Sequence, residues 1–207
     1  MVSGLTLVAG VAGVLVVGGV VAYSVMVYNS LVRLRRNIEE AWSNIDVLLK
    51  QRSDELPKLI DTAQEYMEYE RDVLQRITEA RTAVQQAGGP EEAAQADENL
   101  RGALGELFAV AEDYPELRSN ENFQQLQGRI SSLEEQIADR REFYNESVNT
   151  YNIRTNQIPY NVFANMMGYQ DKELFEASEE ERADVDITAE FGQGSQGTQG
   201  SQESRSG

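Results

Sequence analysis

From Met1 to Val32 no position carries a charged side chain, and Leu5 to Tyr28 is dominated by Leu, Val, Ala and Gly. As a helix those 24 residues would be about 36 Å long, enough to cross a hydrocarbon core of about 30 Å with some tilt. The segment has no basic leading region, is long, and shows no clean small-x-small site ahead of the polar chain, so a retained anchor is expected rather than a cleaved signal peptide. Apolar residues then recur at steps of three and four through Ile38, Ala41, Trp42, Ile45, Leu48 and Leu49, which predicts that the anchor continues unbroken into an amphipathic helix. Pro57 is predicted to end or kink that helix and to fit the first turn of the next, because it has no amide to donate.

The second predicted helix carries Leu59, Ala63, Tyr66, Glu70, Val73, Ile77, Ala80 and Val84 in alternating steps of four and three, a coiled-coil seam, and stops at Gly88, Gly89 and Pro90. A third begins near Glu91 and shows Leu100, Leu104, Leu107, Ala111 and Tyr114 before Pro115. A fourth runs through Phe123, Leu126, Ile130, Leu133, Ile137, Arg140, Tyr144, Val148 and Tyr151 to Pro159. Long helices with short connections imply an antiparallel bundle. The expected fold is all-α: an N-terminal transmembrane helix continuing into an antiparallel bundle of long helices with coiled-coil-like packing. Tyr160 to Phe175 reads as a short aromatic-rich helix on the bundle or the membrane surface. The organisation is then 1–32 for outside residues and transmembrane helix, 33–175 for the bundle, and 176–207 for an acidic, Gly/Gln/Ser-rich tail with the composition of a disordered segment.

Composition narrows the chemistry. The chain has 207 residues and neither cysteine nor histidine, which removes thiol nucleophiles, zinc-thiolate sites, the commonest general base and every Ser-His or Cys-His arrangement. An enzyme is therefore not expected, and no cofactor or metal is called for. Thirty-five acidic against 18 basic residues give a formal charge of −17, which repels phosphate backbones and argues against nucleic acid as a partner. Only three of the cations are lysines, Lys50, Lys58 and Lys172, a balance suited to a surface in concentrated salt. Nothing basic precedes the apolar run, whereas Arg33, Arg35 and Arg36 follow it, so the positive-inside rule predicts an outside N-terminus and a cytoplasmic bundle.

Glu70 and Arg140 are the two polar residues on otherwise apolar seams and are predicted to meet as a buried pair, a structural polar layer, with Arg141 the alternative partner if the seam is offset by one. Adjacent glutamates such as Glu39 with Glu40, Glu91 with Glu92 and Glu134 with Glu135 diverge by about 100° on a helix and do not build one site. Tyr114 and Phe123 flank a turn in which Ser119 or Asn120 can cap the fourth helix, and could otherwise form a docking surface. A second candidate interaction surface gathers Tyr160, Phe163, Met166, Met167 and Tyr169. Ala9 with Gly13, and Gly18 with Ala22, have the spacing that lets two membrane helices approach closely, so a homo-oligomer is one expected partner state.

The run Tyr28-Asn29-Ser30-Leu31-Val32-Arg33-Leu34-Arg35, with Glu40-Ala41-Trp42-Ser43-Asn44-Ile45-Asp46 and Arg52-Ser53-Asp54-Glu55-Leu56-Pro57, resembles the LemA family of bacterial and archaeal membrane proteins. Further resemblance lies in Tyr114 to Phe123, in Arg140-Arg141-Glu142-Phe143-Tyr144-Asn145, and in Tyr151-Asn152 ahead of Pro159. The resemblance implies an N-terminal anchor, an outside N-terminus and a cytoplasmic helical bundle, and carries no catalytic residues. Two positions depart from it. Glu55 stands where an apolar residue is expected, as if the following turn were solvated, and Tyr69 replaces a histidine. The expected function is a membrane-anchored scaffold or protein-interaction module; the alternative is an accessory subunit of a membrane enzyme such as a protease or transporter.

Overall fold

A computed structural model describes residues 2–176, so the tail predicted for 176–207 lies almost wholly outside the described residues. Six α-helices follow in order: α1 (Val2–Gln64), α2 (Arg71–Gln86), α3 (Pro90–Val110), α4 (Pro115–Arg118), α5 (Glu121–Asn156) and α6 (Tyr160–Met166), with a 3-10 turn at Ala111–Asp113 ahead of α4. Among the described residues there is no strand. α2 and α5 pack on α1, and α3 packs on α2. The α1–α5 pair is antiparallel: Tyr66 lies beside Asn120 at one end and Trp42 beside Tyr144 toward the other.

α1 changes character along its length. From Leu7 to Met26 its large apolar side chains are exposed on every face, and by length and composition this part is able to cross a membrane. From Val27 onward a single seam is buried: Val27, Leu31, Ile38, Ala41, Ile45, Leu49, Arg52, Leu56, Leu59 and Ala63. Those steps of three and four keep one stripe facing the partner helices, as in a coiled coil. The helix that starts as the predicted anchor therefore runs without a break into the bundle core.

It also runs through Pro57, which corrects the predicted helix end there. A proline inside a helix leaves the carbonyl four residues earlier without its amide and costs about 3 kcal/mol. Here that carbonyl belongs to Ser53, and Arg81 of α2 donates its Nε–H to it at 2.8 Å. Leu56 and Leu59 are fully buried on either side, and at about 1.5–3 kcal/mol each their burial outweighs the remaining cost of continuing the helix. The seam keeps its phase across the proline, and the break comes later, at residues 65–70. That stretch has no glycine or proline; instead Glu65, Glu68 and Glu70 place negative charge at the C-terminal end of α1, where the helix dipole disfavours it, and at the start of α2, where it is favoured.

Glu55 is corrected as well. It is buried in mid-helix, accepts from Lys58 at 2.9 Å and forms an ion pair with Arg129 of α5 at 2.9 Å, instead of lining a solvated turn. The start of α5 follows expectation: Asn120 is its N-cap, with Oδ1 accepting from the Phe123 amide at 3.1 Å while Nδ2 donates to the Tyr66 hydroxyl at 3.1 Å.

If Arg81 stands in for the missing amide, Arg81→Met should lower stability by about 1–3 kcal/mol, the cost of leaving a buried carbonyl unsatisfied. In a Pro57→Ala background the helix supplies its own donor, so the same substitution should cost clearly less. Equal losses in the two backgrounds, measured by chemical denaturation of the full chain, would refute the substitution of donors.

Candidate functional site: a buried charge layer and an apolar collar

Arg52 occupies a seam position of α1, and Asp97 one of α3, and both are 0% exposed. Arg52 Nη2 donates to Asp97 Oδ1. Two residues of α5 complete the layer: Glu134 Oε1 lies 3.8 Å from Arg52 Nη1, and Arg141 Nη1 lies 3.6 Å from Asp97 Oδ2. The layer thus contains two cations and two anions, with one of each fully buried. Among the described residues, Arg52 Nε and Nη1, Asp97 Oδ2 and Ser53 Oγ have no hydrogen-bond partner. A fully buried pair that is only partly satisfied adds little net stability and makes alternative registers costly, because moving either charge against a neighbouring leucine would strand it. Among the described residues no group of three or more His, Cys, Asp or Glu could hold a metal ion.

Glu134 is half-buried, and burial holds its carboxyl above the ordinary range; Arg52 and Arg101 oppose that rise and Asp97 adds to it. Tyr144, packed against Trp42 and donating its hydroxyl to the Glu173 carbonyl at 3.1 Å, is pushed up to about 12 by burial. It is a neutral donor at neutral pH.

The predicted pair of Glu70 and Arg140 does not form. Glu70 is half-buried at the residue before α2, where it accepts a long hydrogen bond from Tyr114 Oη at 3.5 Å, and Arg140 is exposed on α5. The seam drawn through Glu70 assumed a continuous helix, and the turn at 65–70 removes it. The alternative cation, Arg141, does join a buried pair, with Asp97. Nor do Tyr114 and Phe123 make a docking surface. Phe123 is buried edge-on against Phe108, with ring centroids 6.3 Å apart, and Tyr114 is half-buried against the core.

The residues named for the second predicted surface lie together, but most of them are packed on α1. α5 carries the chain back along α1, and α6 then packs on Val27 and Leu31, with Ala164 buried and Tyr160, Phe163, Met167 and Tyr169 half-buried against them. α6 ends in a Schellman turn: Tyr169 N–H reaches Ala164 O at 2.9 Å and Gly168 N–H reaches Asn165 O at 3.2 Å, with Gly168 at φ +68, a conformation that favours glycine. The chain returns as a strap along α5. Asn152 bonds both the amide (2.8 Å) and the carbonyl (2.9 Å) of Lys172, and Asn145, seven residues earlier and on the same face, does the same for Phe175 at 2.8 and 3.4 Å. Phe175 is fully buried, with Trp42 6.0 Å from its ring centroid and the Arg141 guanidinium 4.9 Å from it.

Sequence reasoning missed Arg52 and Asp97. The available signal was phase: each sits in the three-four spacing of its own seam, Arg52 between Leu49 and Leu56 and Asp97 between Ala93 and Leu100.

Removing one partner of the buried pair, as in Arg52→Met, should cost about 3–5 kcal/mol, whereas Arg52→Met with Asp97→Leu should recover most of that loss. A double variant no more stable than the singles would count against a paired layer. Glu134 gives a pH prediction. Its folded form binds a proton more tightly than its unfolded form, so its ionisation removes stability as pH rises through a window opening at about 4.5. The melting temperature of Glu134→Gln relative to the parent should therefore increase from pH 4.5 toward neutrality; a difference independent of pH would be inconsistent with a raised carboxyl.

The LemA family profile matches residues 41–189. The chain is 30% identical over 164 residues to Protein LemA of Metamycoplasma hominis, a match covering 77% of this chain and 74% of that protein. It is 27% identical over 192 residues to Magnetosome protein MamQ 2 of Paramagnetospirillum magneticum, covering 80% and 71%, respectively. With Magnetosome protein MamQ of Magnetospirillum gryphiswaldense the identity is 25% over 176 residues, covering 72% of this chain and 65% of the relative. The matched region contains the buried layer, the asparagine-held strap and α6, and the chain belongs to the LemA family.

Proposed function

We propose that this protein is a non-enzymatic scaffold or protein-interaction module, anchored by a single transmembrane helix, with its N-terminus outside and its bundle in the cytoplasm. The observation that carries the reading is the continuity of α1. One helix exposes apolar side chains all round from Leu7 to Met26 and then buries a seam from Val27 to Ala63, so anchor and bundle are a single rod. A rod of 63 residues is about 95 Å long, which holds the far end of the bundle well away from the bilayer. The arginines at 33, 35 and 36 support the orientation. The buried charges support the scaffold reading, because Arg52 and Asp97 are fully buried between helices of the bundle. Two relatives are named as magnetosome proteins, and those names state a cellular assembly and no reaction.

The chain contains no cysteine, so single cysteines at Ser3 and Ser195 can be probed with an impermeant thiol reagent in intact cells. Ser3 should label and Ser195 should not; the reverse would overturn the orientation. Capture from gently solubilised membranes, with and without residues 176–207, addresses the role. A varied set of partners lost with that segment is the expected result. A single stoichiometric enzyme retained in both forms would instead make the chain an accessory subunit of that enzyme.

A further inference from the structure

We infer that α6 is a second membrane contact: a collar that lays Ile158, Val162 and Met166 into the interfacial layer of an anionic lipid surface, beside the point where α1 leaves it. The inference rests on the reading of α1 as a membrane span.

Three independent features lead to it. The first is depth. The exposed apolar part of α1, Leu7 to Met26, spans about 30 Å as a helix, the thickness of a hydrocarbon core. Its inner edge therefore falls near Val27, and Val27 and Leu31 are the residues on which α6 packs. The chain arrives at that level along α5, turns in α6, and goes back along α5 as the strap, so α6 is the tip of the bundle on the anchor side. Tyr23 and Tyr28, both exposed on α1 at this level, are the residue type favoured at such a boundary.

The second feature is the outward face of α6. Ile158, Val162 and Met166 are 84%, 64% and 76% exposed, respectively, while their neighbours on the opposite face are packed on α1. A spacing of four puts Val162 and Met166 on one side of α6, and Ile158 lies exposed in the turn just ahead of the helix. Thr155 to Gln170 contains no charged residue, in a chain of which 26% is charged. A short helix with an apolar face, set at the headgroup boundary, can insert that face a few ångströms into the lipid without a span of its own.

The third feature is charge. Although the chain is strongly acidic, Arg33, Arg35 and Arg36 follow Leu31 on α1 within about two turns and Arg154 lies in the last turn of α5 ahead of α6, and all four are exposed. Arg35 lies over the Tyr169 ring and pairs with Glu39, and Arg154 lies over the Tyr160 ring, 5.2 Å from its centroid, and donates to the Tyr160 hydroxyl at 3.0 Å. Arg33 and Arg36 have no carboxylate partner among the described residues. Guanidinium groups this close in the chain to the level of Val27 and Leu31 suit lipid phosphates, which they bind through two parallel hydrogen bonds. With two points of attachment, the stem and the collar, the rod cannot swivel freely about its anchor.

The test uses the full chain in vesicles of phosphatidylcholine and phosphatidylglycerol, with a polarity-sensitive dye on single cysteines and nitroxide lipids as quenchers. Val162→Cys and Met166→Cys should be quenched by a headgroup-proximal nitroxide as strongly as Met26→Cys. Leu15→Cys should be quenched best by a nitroxide at the bilayer centre, and Gln75→Cys, exposed on α2, by neither. If Val162→Cys and Met166→Cys behave like Gln75→Cys while Leu15→Cys is quenched, the anchor stands and the collar inference fails. Dyes at 162 and 166 that shift to the blue without quenching by either lipid would place that face against protein and likewise overturn it. Loss of quenching at Leu15 would bring down the span itself and the collar with it. The substituted positions are exposed, and unchanged helicity by circular dichroism confirms that each variant is folded.

Discussion

The carbonyl of Ser53 and the guanidinium of Arg52, neighbours on one turn of α1, tie the four long helices together. Ser53 accepts from Arg81 of α2, and Arg52 reaches Asp97 of α3 and Glu134 of α5. Without the first contact, α1 would have a proline-generated gap in its ladder near the middle of the bundle. Without the second, the seam would contain a stranded cation. Both demands fall within one turn, so α2, α3 and α5 are fixed against α1 at the same height, and the apolar seams above and below inherit their register from that layer. A uniform leucine seam would bind as strongly and would tolerate sliding by a turn; the charged layer does not.

The charged layer also explains which parts of the fold can be read from the chain. The seams on α2 and α5 are visible as spacing, and so is the continuity from the anchor into the first amphipathic stretch. The end of α1 is not, because Pro57 is the strongest local signal in the region and the group that neutralises it, Arg81, lies on another helix. Arg52 hides the seam further: a charge at the position between Leu49 and Leu56 makes the run look finished just before the proline. The break at 65–70 has the opposite problem. It has no glycine or proline and is set by acidic residues at two helix ends, a weaker effect that a three-four pattern passes straight over, which is why Glu70 was assigned to a seam it does not occupy.

Side chains named from spacing alone divide along the same line. Arg141 and Arg140 are adjacent on α5, and a rotation of about 100° separates the one that reaches Asp97 from the one left in solvent. Phe123 looked available because it follows a turn, yet the capping by Asn120 that was legible in the sequence is what turns it inward onto Phe108. The aromatic segment after Pro159 was recognisable as a unit. Its division into a face packed on α1 and a face left open depends on how α5 delivers the chain to Val27 and Leu31, which no local pattern records. Asn145 and Asn152 are the clearest case of motif residues whose purpose is invisible until the strap is seen: their seven-residue spacing matches two helix turns, and each side-chain amide pairs with the backbone N–H and C=O of one residue of the returning chain.

The strap also connects the two regions energetically. Phe175 closes onto Trp42 and Arg141, and Arg141 is the cation that approaches Asp97 in the buried layer. From the tip at α6, the chain therefore runs back over α5 to a side chain that is itself part of the register-fixing layer. Pulling α6 away from Val27 and Leu31 would strain the Asn152 contacts first and the Phe175 contacts next, because they follow in that order along the strap. Two asparagines, each bonding the backbone at two points, thus stand between α6 and the contact of Phe175 with the bundle core. For the anchored scaffold proposed above, a strap fastened in this way would oppose bending at the end of the bundle nearest Val27, where leverage on the far end is greatest.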